Sequence, residues 1–157
     1  MTTSGAERDE ALIITIGTRA CAIPIQHVAE TMRPLSIEPI PGMPAFIKGV
    51  SLIRGVPIPV VDLGALLQTS DGSLNYGRFV TLKIGARRAA VAVDGVVGLR
   101  NLDLRQIGEL PPLLRAAGAE VIDAIGTCDA QLLIVLRAMR IIPDEVWNTL
   151  EAREAVR

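Results

Sequence analysis

The residues able to do chemistry are few and scattered. His27 is the single histidine, so any histidine-based triad, HExxH motif or histidine metal cluster would have to pass through it. It stands between Gln26 and Val28 just after a candidate hairpin, with no acid or nucleophile at a useful spacing, and reads as a structural residue. Cys21 and Cys128 are the only cysteines; they form no CxxC pair and lie in no nucleophile context, so two free thiols are expected. Asp62 is followed by Leu63 and Gly64 rather than by further oxygen ligands, which excludes a calcium loop there. Neither GxxxxGK[ST] nor GxGxxG occurs, so the usual phosphate-cradling loops are missing. Arg87 and Arg88 make a small basic spot that reads as a solvated turn. No catalytic residue, no metal site and no cofactor is assigned, and the expectation is a protein that is not an enzyme.

Composition narrows the remaining classes. Sixteen Lys and Arg face 17 Asp and Glu, and the sequence pI is about 5.8, whereas a nucleic-acid binder relying on phosphate neutralisation needs a basic excess. Two Phe, one Tyr and one Trp leave little material for base stacking. No nucleic acid is expected as partner. Half of the 157 residues are hydrophobic, enough for a core without disulfides, yet the longest apolar runs fall far short of a membrane span. Residues 1–10 are polar and acidic, which predicts a disordered tail and a cytoplasmic protein without membrane insertion.

The elements that must position any site are mostly strands. Leu12–Ile16 and Ala20–Ile25 flank the turn Gly17, Thr18, Arg19; Val80–Ile84 and Arg88–Val93 flank Gly85, Ala86, Arg87. Aligning Ile16 with Ile84 also aligns Ala22 with Ala90 and Val28 with Val96, a constant offset that marks two related halves. Each hairpin is followed by a further β-rich pair, Ile47–Ile53 with Val56–Val61, and Val121–Ile125 with Ala130–Leu136. The fold class is therefore all-β with short helices. Pro57 and Pro59 place their strand at an edge or bulge. Short helices are predicted over Gln26–Arg33, Asp62–Gln68 and Asp144–Arg153, a loop over Gly108–Gly118, and a junction between the halves at Ser70–Asn75.

The run Pro44–Leu63, PAFIKGVSLIRGVPIPVVDL, resembles the signature of the CheW family of bacterial chemotaxis adaptors. Phe46, Ile47, Gly49, Val50, Arg54, Gly55, Pro59, Val61, Asp62 and Leu63 fall in register with it, and Ala92–Val96 resembles the family's V-V-D-G-V turn. Leu52 and Ile53 depart from the usual Asn and Leu. The resemblance covers Leu12 to about Leu150 and implies two related five-stranded β-barrel subdomains, approximately 12–70 plus the C-terminal helix and 76–140, in one domain over 11–157.

It also implies a non-enzymatic adaptor, a monomer when isolated, that joins the cytoplasmic tips of chemoreceptors to a CheA-type histidine kinase in membrane-associated arrays. A related chemosensory system controlling surface motility is the alternative output, and a small-molecule-binding β-barrel the rival class. By motif position, the receptor-binding groove takes Val28, Glu30, Lys48, Gly49, Arg54, Gly55 and Gly95. Glu30 and Arg54 resemble a family ion pair that fixes the groove wall, and its burial is not legible in the sequence.

Overall fold

In a computed structural model, described for residues 8–67, 76–103, 108–109, 122–128, 131–136 and 141–155, the chain forms two β-sheets and two helices. The strands are β1 (Arg8–Ile16), β2 (Arg19–Pro24), β3 (Val28–Met32), β4 (Ile47–Ile53), β5 (Val56–Asp62), β6 (Arg78–Ile84), β7 (Arg87–Val93), β8 (Gly95–Asp103), β9 (Gly108–Glu109), β10 (Ile122–Cys128) and β11 (Gln131–Leu136). Helix α1 spans Leu63–Leu66 and α2 spans Asp144–Ala155. One sheet has the order β8-β1-β2-β11-β10-β9, the other β3-β6-β7-β5-β4. Two β units are present as expected, with six and five strands rather than five each, and neither backbone ladder closes on itself among the described residues.

The sequence repeat is visible in the topology, but the halves exchange hairpins. β2 runs parallel to β11 through Cys21↔Ile134, and β7 runs parallel to β5 through Val61↔Val91. The first-half hairpin β1–β2 thus docks on the β10–β11 pair of the second half, and β6–β7 docks on β4–β5. Even the irregularities correspond. Ala29 is skipped where β3 meets β6 and Val97 where β8 meets β1; Lys48 and Asp123 are skipped in β4 and β10. A division into 12–70 and 76–140 therefore cuts across both sheets, since each takes strands from both halves.

Three further expectations are corrected. The tail ends earlier: Arg8↔Asp103, Asp9↔Leu102 and Glu10↔Asn101 extend the β1–β8 ladder, so residues 8–10 gain backbone partners that a polar sequence does not advertise. No helix occupies Gln26–Arg33. Ile25–His27 make one 3-10 turn and Val28–Met32 continue as β3, held by pairing with β6, where tertiary partners override a local helical pattern. β5 is an interior strand, yet its ladder to β7 begins only at Val60, so Pro57 and Pro59 occupy the stretch with a neighbour on one side alone. The helices at α1 and α2 are found as expected. Of the loop over Gly108–Gly118, Gly108–Glu109 form β9; the rest of it and the junction Ser70–Asn75 lie outside the described residues, as does the side chain of Cys128.

Two apolar clusters flank the five-stranded sheet. The larger fills the space between the sheets: Ile14, Cys21 and Ile23 meet Val61, Leu82, Val91 and Val93, and Ile141, Ile142 and Trp147 join from the C-terminal segment. The smaller lies on the opposite face of the five-stranded sheet, with Phe79, Ile53, Ile58, Val60, Ala90 and Ala92. The alternation along β6 explains both, since Val80, Leu82 and Ile84 point to one face and Phe79 and Thr81 to the other. Buried on two faces, this sheet reads as nearly continuous apolar runs.

Candidate functional site

β3 and β4 are the two edges of the five-stranded sheet, and the turn joining β4 to β5 carries Arg54 and Gly55. Both have positive φ, 52° and 80°, the pattern of a two-residue type I′ hairpin turn. Glycine accepts that geometry freely; Arg54 is the one non-glycine residue with positive φ among the described residues. Its guanidinium donates to Glu30 on β3 through both Nε, at 2.9 Å to Oε2, and Nη2, at 2.8 Å to Oε1. The pair is open to water, with side-chain exposures of 77% for Arg54 and 33% for Glu30, so neither charge is stranded if the other is removed. The hydrogen bonds from Arg54, reinforced by the charges of Arg54 and Arg88, hold the Glu30 carboxyl below its ordinary range against a smaller desolvation effect.

The backbone beneath Glu30 is fixed from below. Its amide donates to Thr81 Oγ1 at 3.1 Å, and the same hydroxyl donates to the Glu30 carbonyl at 3.3 Å, so a buried threonine of β6 secures the irregular stretch of β3. Val28, two residues earlier, pairs with Leu82 and packs half-buried on the inter-sheet core. Val28, Glu30, Arg54 and Gly55 thus gather at one end of the sheet.

The other residues assigned from the sequence stand apart. Lys48 and Gly49 lie near the start of β4, roughly 17–20 Å from Arg54 at about 3.4 Å per strand residue. Gly49 has φ 143°, and a Cβ there would collide with the Glu38 carbonyl, because the segment around Glu38 bridges to Val50 through two backbone hydrogen bonds of 2.7 and 2.9 Å. Its need for glycine is a close approach of backbone. Ser51, buried one residue beyond Val50, donates to the Ser36 carbonyl at 2.8 Å and ties the same segment down. Gly95 opens β8 in the six-stranded sheet, opposite Thr15, where the chain crosses from one sheet to the other.

Sequence reasoning missed the residues that brace these positions. Asp94, at the crossover, accepts from the Gly17 amide through its carboxylate and donates its own amide to the Thr15 carbonyl at 3.0 Å. Asp62 caps α1 by accepting from the Ala65 amide at 3.1 Å, and takes the Tyr76 hydroxyl at 2.9 Å. Burial, together with that bond to the Asp62 carboxylate, pushes the Tyr76 hydroxyl pKa up. Arg87, expected in a solvated turn, instead binds Glu151 at 3.0 Å and lies 5.1 Å from the Trp147 ring centre, pinning α2. The cap at Asp62 had a signal in its position before Leu63; the others join residues too distant in sequence to be paired by spacing.

No group of three or more His, Cys, Asp or Glu side chains that could hold a metal ion occurs among the described residues. No helix among them is long and apolar enough to cross a membrane. The arrangement offers a braced surface with a charge pair and exposed apolar groups, Leu52 at 66% and Val56 at 52% beside Arg54.

Comparison with known proteins identifies the family. The chain is 29% identical over 137 residues to the chemotaxis protein CheW of Klebsiella aerogenes, covering 87% of this chain and 82% of that one. It is 34% identical over 128 residues to protein FrzA of Myxococcus xanthus, covering 77% and 78%. The solved structure of the scaffolding protein TtCheW from Thermoanaerobacter tengcongensis superposes with a TM-score of 0.75 at 25% identity, over 85% of this chain and 91% of that one. The model of the CheW-like domain matches residues 10–146, nearly the whole of both sheets and the start of α2, and the chain belongs to the CheW-like family of chemotaxis adaptors.

Proposed function

We propose that this chain couples the cytoplasmic tips of chemoreceptors to a CheA-type histidine kinase, acting as a scaffold without turnover of its own. The match of the CheW-like domain across both sheets carries the reading. The surface that best suits the receptor includes Val28, Glu30, Arg54 and Gly55, where an ion pair and a hairpin tip are held in place by Thr81. Lys48, Gly49 and Gly95 extend the assigned set along β4 and to the sheet crossover, where Gly49 lets the Glu38 backbone approach and Gly95 leaves room for the Thr15 hydroxyl. The chain works as a monomer, in the cytoplasm, recruited to arrays at the membrane.

A second output, a related chemosensory system controlling surface motility, fits the 34% identity to protein FrzA. Affinity capture from the native cytosol with the full chain as bait tests both. Recovery of chemoreceptors together with a CheA-type kinase supports the adaptor role, and the identity of the co-purified receptors tells the outputs apart. Recovery of neither overturns the reading.

A further inference from the structure

We infer that the open end of the five-stranded sheet, beside the β6–β7 turn, is a docking surface for an acidic face of a partner protein, with Lys83 and Arg88 as the recognising cations. This rests on the adaptor reading and deepens it, since the surface adjoins the Glu30 and Arg54 pair and adds Lys83 and Arg88 to it.

Lys83 and Arg88 are directly opposite each other in the β6–β7 ladder. Like charges at facing positions of an antiparallel pair destabilise the sheet, so the sequence holds two cations where packing alone disfavours them. Leu82 and Ala89, next to them, belong to the core between the sheets, which puts Lys83 and Arg88 on the other face, in line with Thr81 and Ala90 and then Phe79 and Ala92. They therefore stand one layer above the second apolar cluster, at the mouth of a sheet that must curl for Glu30 on one edge to meet Arg54 at the other. Charges pointing to the inner face serve in some sheets to block edge pairing, but β6 and β7 are interior strands and have no free edge to protect.

Both side chains are exposed, and neither has a salt-bridge partner among the described residues. The nearby acid is Glu30, close enough to feel the charge of Arg88, and it is already occupied by the two-point bond from Arg54. Arg54 comes to the same end, because Val60↔Ala90 places the start of β5 beside the start of β7. Arg54 and Arg88 thus act on one satisfied carboxylate, and Lys83 faces Arg88 across the ladder, on a chain whose overall charge is −1. The exposed Val56, facing Ile53 on the mouth side, adds an apolar contact at the rim. A cationic rim with an exposed aliphatic side chain is complementary to a protein surface bearing paired carboxylates.

The test titrates the isotope-labelled full chain with a Glu-rich synthetic peptide, following backbone amide shifts by NMR, and in parallel with inorganic phosphate and a short DNA duplex. The expected result is shifts at residues 28–30, 54–56 and 81–90, an affinity that falls as salt is raised, and binding weakened about tenfold or more in K83Q/R88Q. The variant is expected to keep or raise its denaturant midpoint, because a repulsive pair is removed; K83Q alone serves as a second, milder variant. Unchanged peptide binding in both variants, or shifts elsewhere, overturns the inference. So does a lowered midpoint, which would make the pair structural. Equal saturation by phosphate would reduce the site to a simple anion site, and tighter binding of the duplex would assign it to nucleic acid; both overturn it. Failure of wild-type chain to capture receptors or kinase would instead count against the adaptor reading, whatever the peptide does.

Discussion

Glu30 and Arg54 approach from opposite edges of one five-stranded sheet and bind each other at two points. In a flat sheet, three or four strand spacings of about 4.8 Å would hold β3 about 14–19 Å from the turn joining β4 to β5. Contact requires the sheet to curl until its edges face each other, so side chains complete what the backbone ladder leaves open. The smaller apolar cluster, with Phe79 at its centre, is what the curl encloses.

Reversing either charge should therefore weaken receptor coupling, and reversing both should restore part of it. Glu30→Arg and Arg54→Glu each place like charges together, whereas the double swap re-pairs them. Restoration should be incomplete, since a glutamate in the turn cannot present the planar two-point donor that Arg54 does. The measurement is binding to a receptor-tip fragment, with denaturant midpoints recorded beside it. Strictly additive effects would show that the pair does not act as a unit.

The Arg54 turn separates strain from function. Arg54→Gly removes the guanidinium but suits the positive φ of 52°, so the folded state should lose little or gain. The Glu30 carboxyl should then titrate nearer its ordinary range, as its main stabilising hydrogen bonds are gone. The sign follows from linkage: a carboxyl whose folded pKa is depressed adds stability above its unfolded pKa and loses it as pH falls through the folded pKa. Wild type should show this acid-side loss and Arg54→Gly should not, as read by carboxyl NMR titration and midpoints below neutral pH.

How much of this was legible in the sequence depended on distance along the chain. Hairpin turns at Gly17 and Gly85 and helices α1 and α2 are local, and spacing alone located them, although the capping role of Asp62 was missed. The duplicated pattern was legible too, but which hairpin docks on which strands was not, because Cys21↔Ile134 and Val61↔Val91 join segments by burial rather than by any local signal. Val28–Met32 was misread as helical since its partner, β6, lies about fifty residues on in sequence, with Glu30 bound to Thr81 at a separation of 51. The Glu30 and Arg54 contact came from family resemblance. Its exposure came only from the structure.

Gly49→Ala should be costly. Its φ of 143° disfavours any side chain, and the Cβ would meet the Glu38 carbonyl, whose bridge to Val50 must then break. A loss of about 1–3 kcal/mol is expected from backbone strain alone, read as a lower urea midpoint. Lys48→Ala at the adjoining irregularity should stay within about 0.5 kcal/mol. Equal effects at the two positions would argue that the segment around Glu38 is not closely packed on β4.

Helix α2 should detach in graded steps. Trp147 is 5% exposed and packs into the core between the sheets, so Trp147→Ala should cost about 3–5 kcal/mol. Arg87→Ala removes the contact over the ring and the partly exposed bond to Glu151, and should cost roughly 0.5–2 kcal/mol. Urea unfolding of both variants checks the order. A larger loss at Arg87 than at Trp147 would show that charge, not burial, holds the helix.

Cys21 gives a prediction for the alkaline side. Burial in the inter-sheet core pushes its thiol up to about 11, with the nearby Arg19 charge opposing only in part. The folded protein should therefore resist alkylation near neutral pH at this position and react once unfolded, because the thiolate is the nucleophile and burial disfavours it. The linkage sign is opposite to that of Glu30. In the unfolded chain the thiol ionises near its ordinary value of 9.0, while in the folded chain it stays neutral to about 11, so stability from this group is complete below about 9 and declines as pH rises between the two. Cys21→Ala should flatten that part of the stability profile while lowering stability at neutral pH through the small cavity it leaves. Mass spectrometry of native and unfolded protein after a timed alkylation, with peptide mapping to separate Cys21 from Cys128, makes the measurement. Rapid native labelling of Cys21 would show that the two sheets separate often enough to expose the core between them.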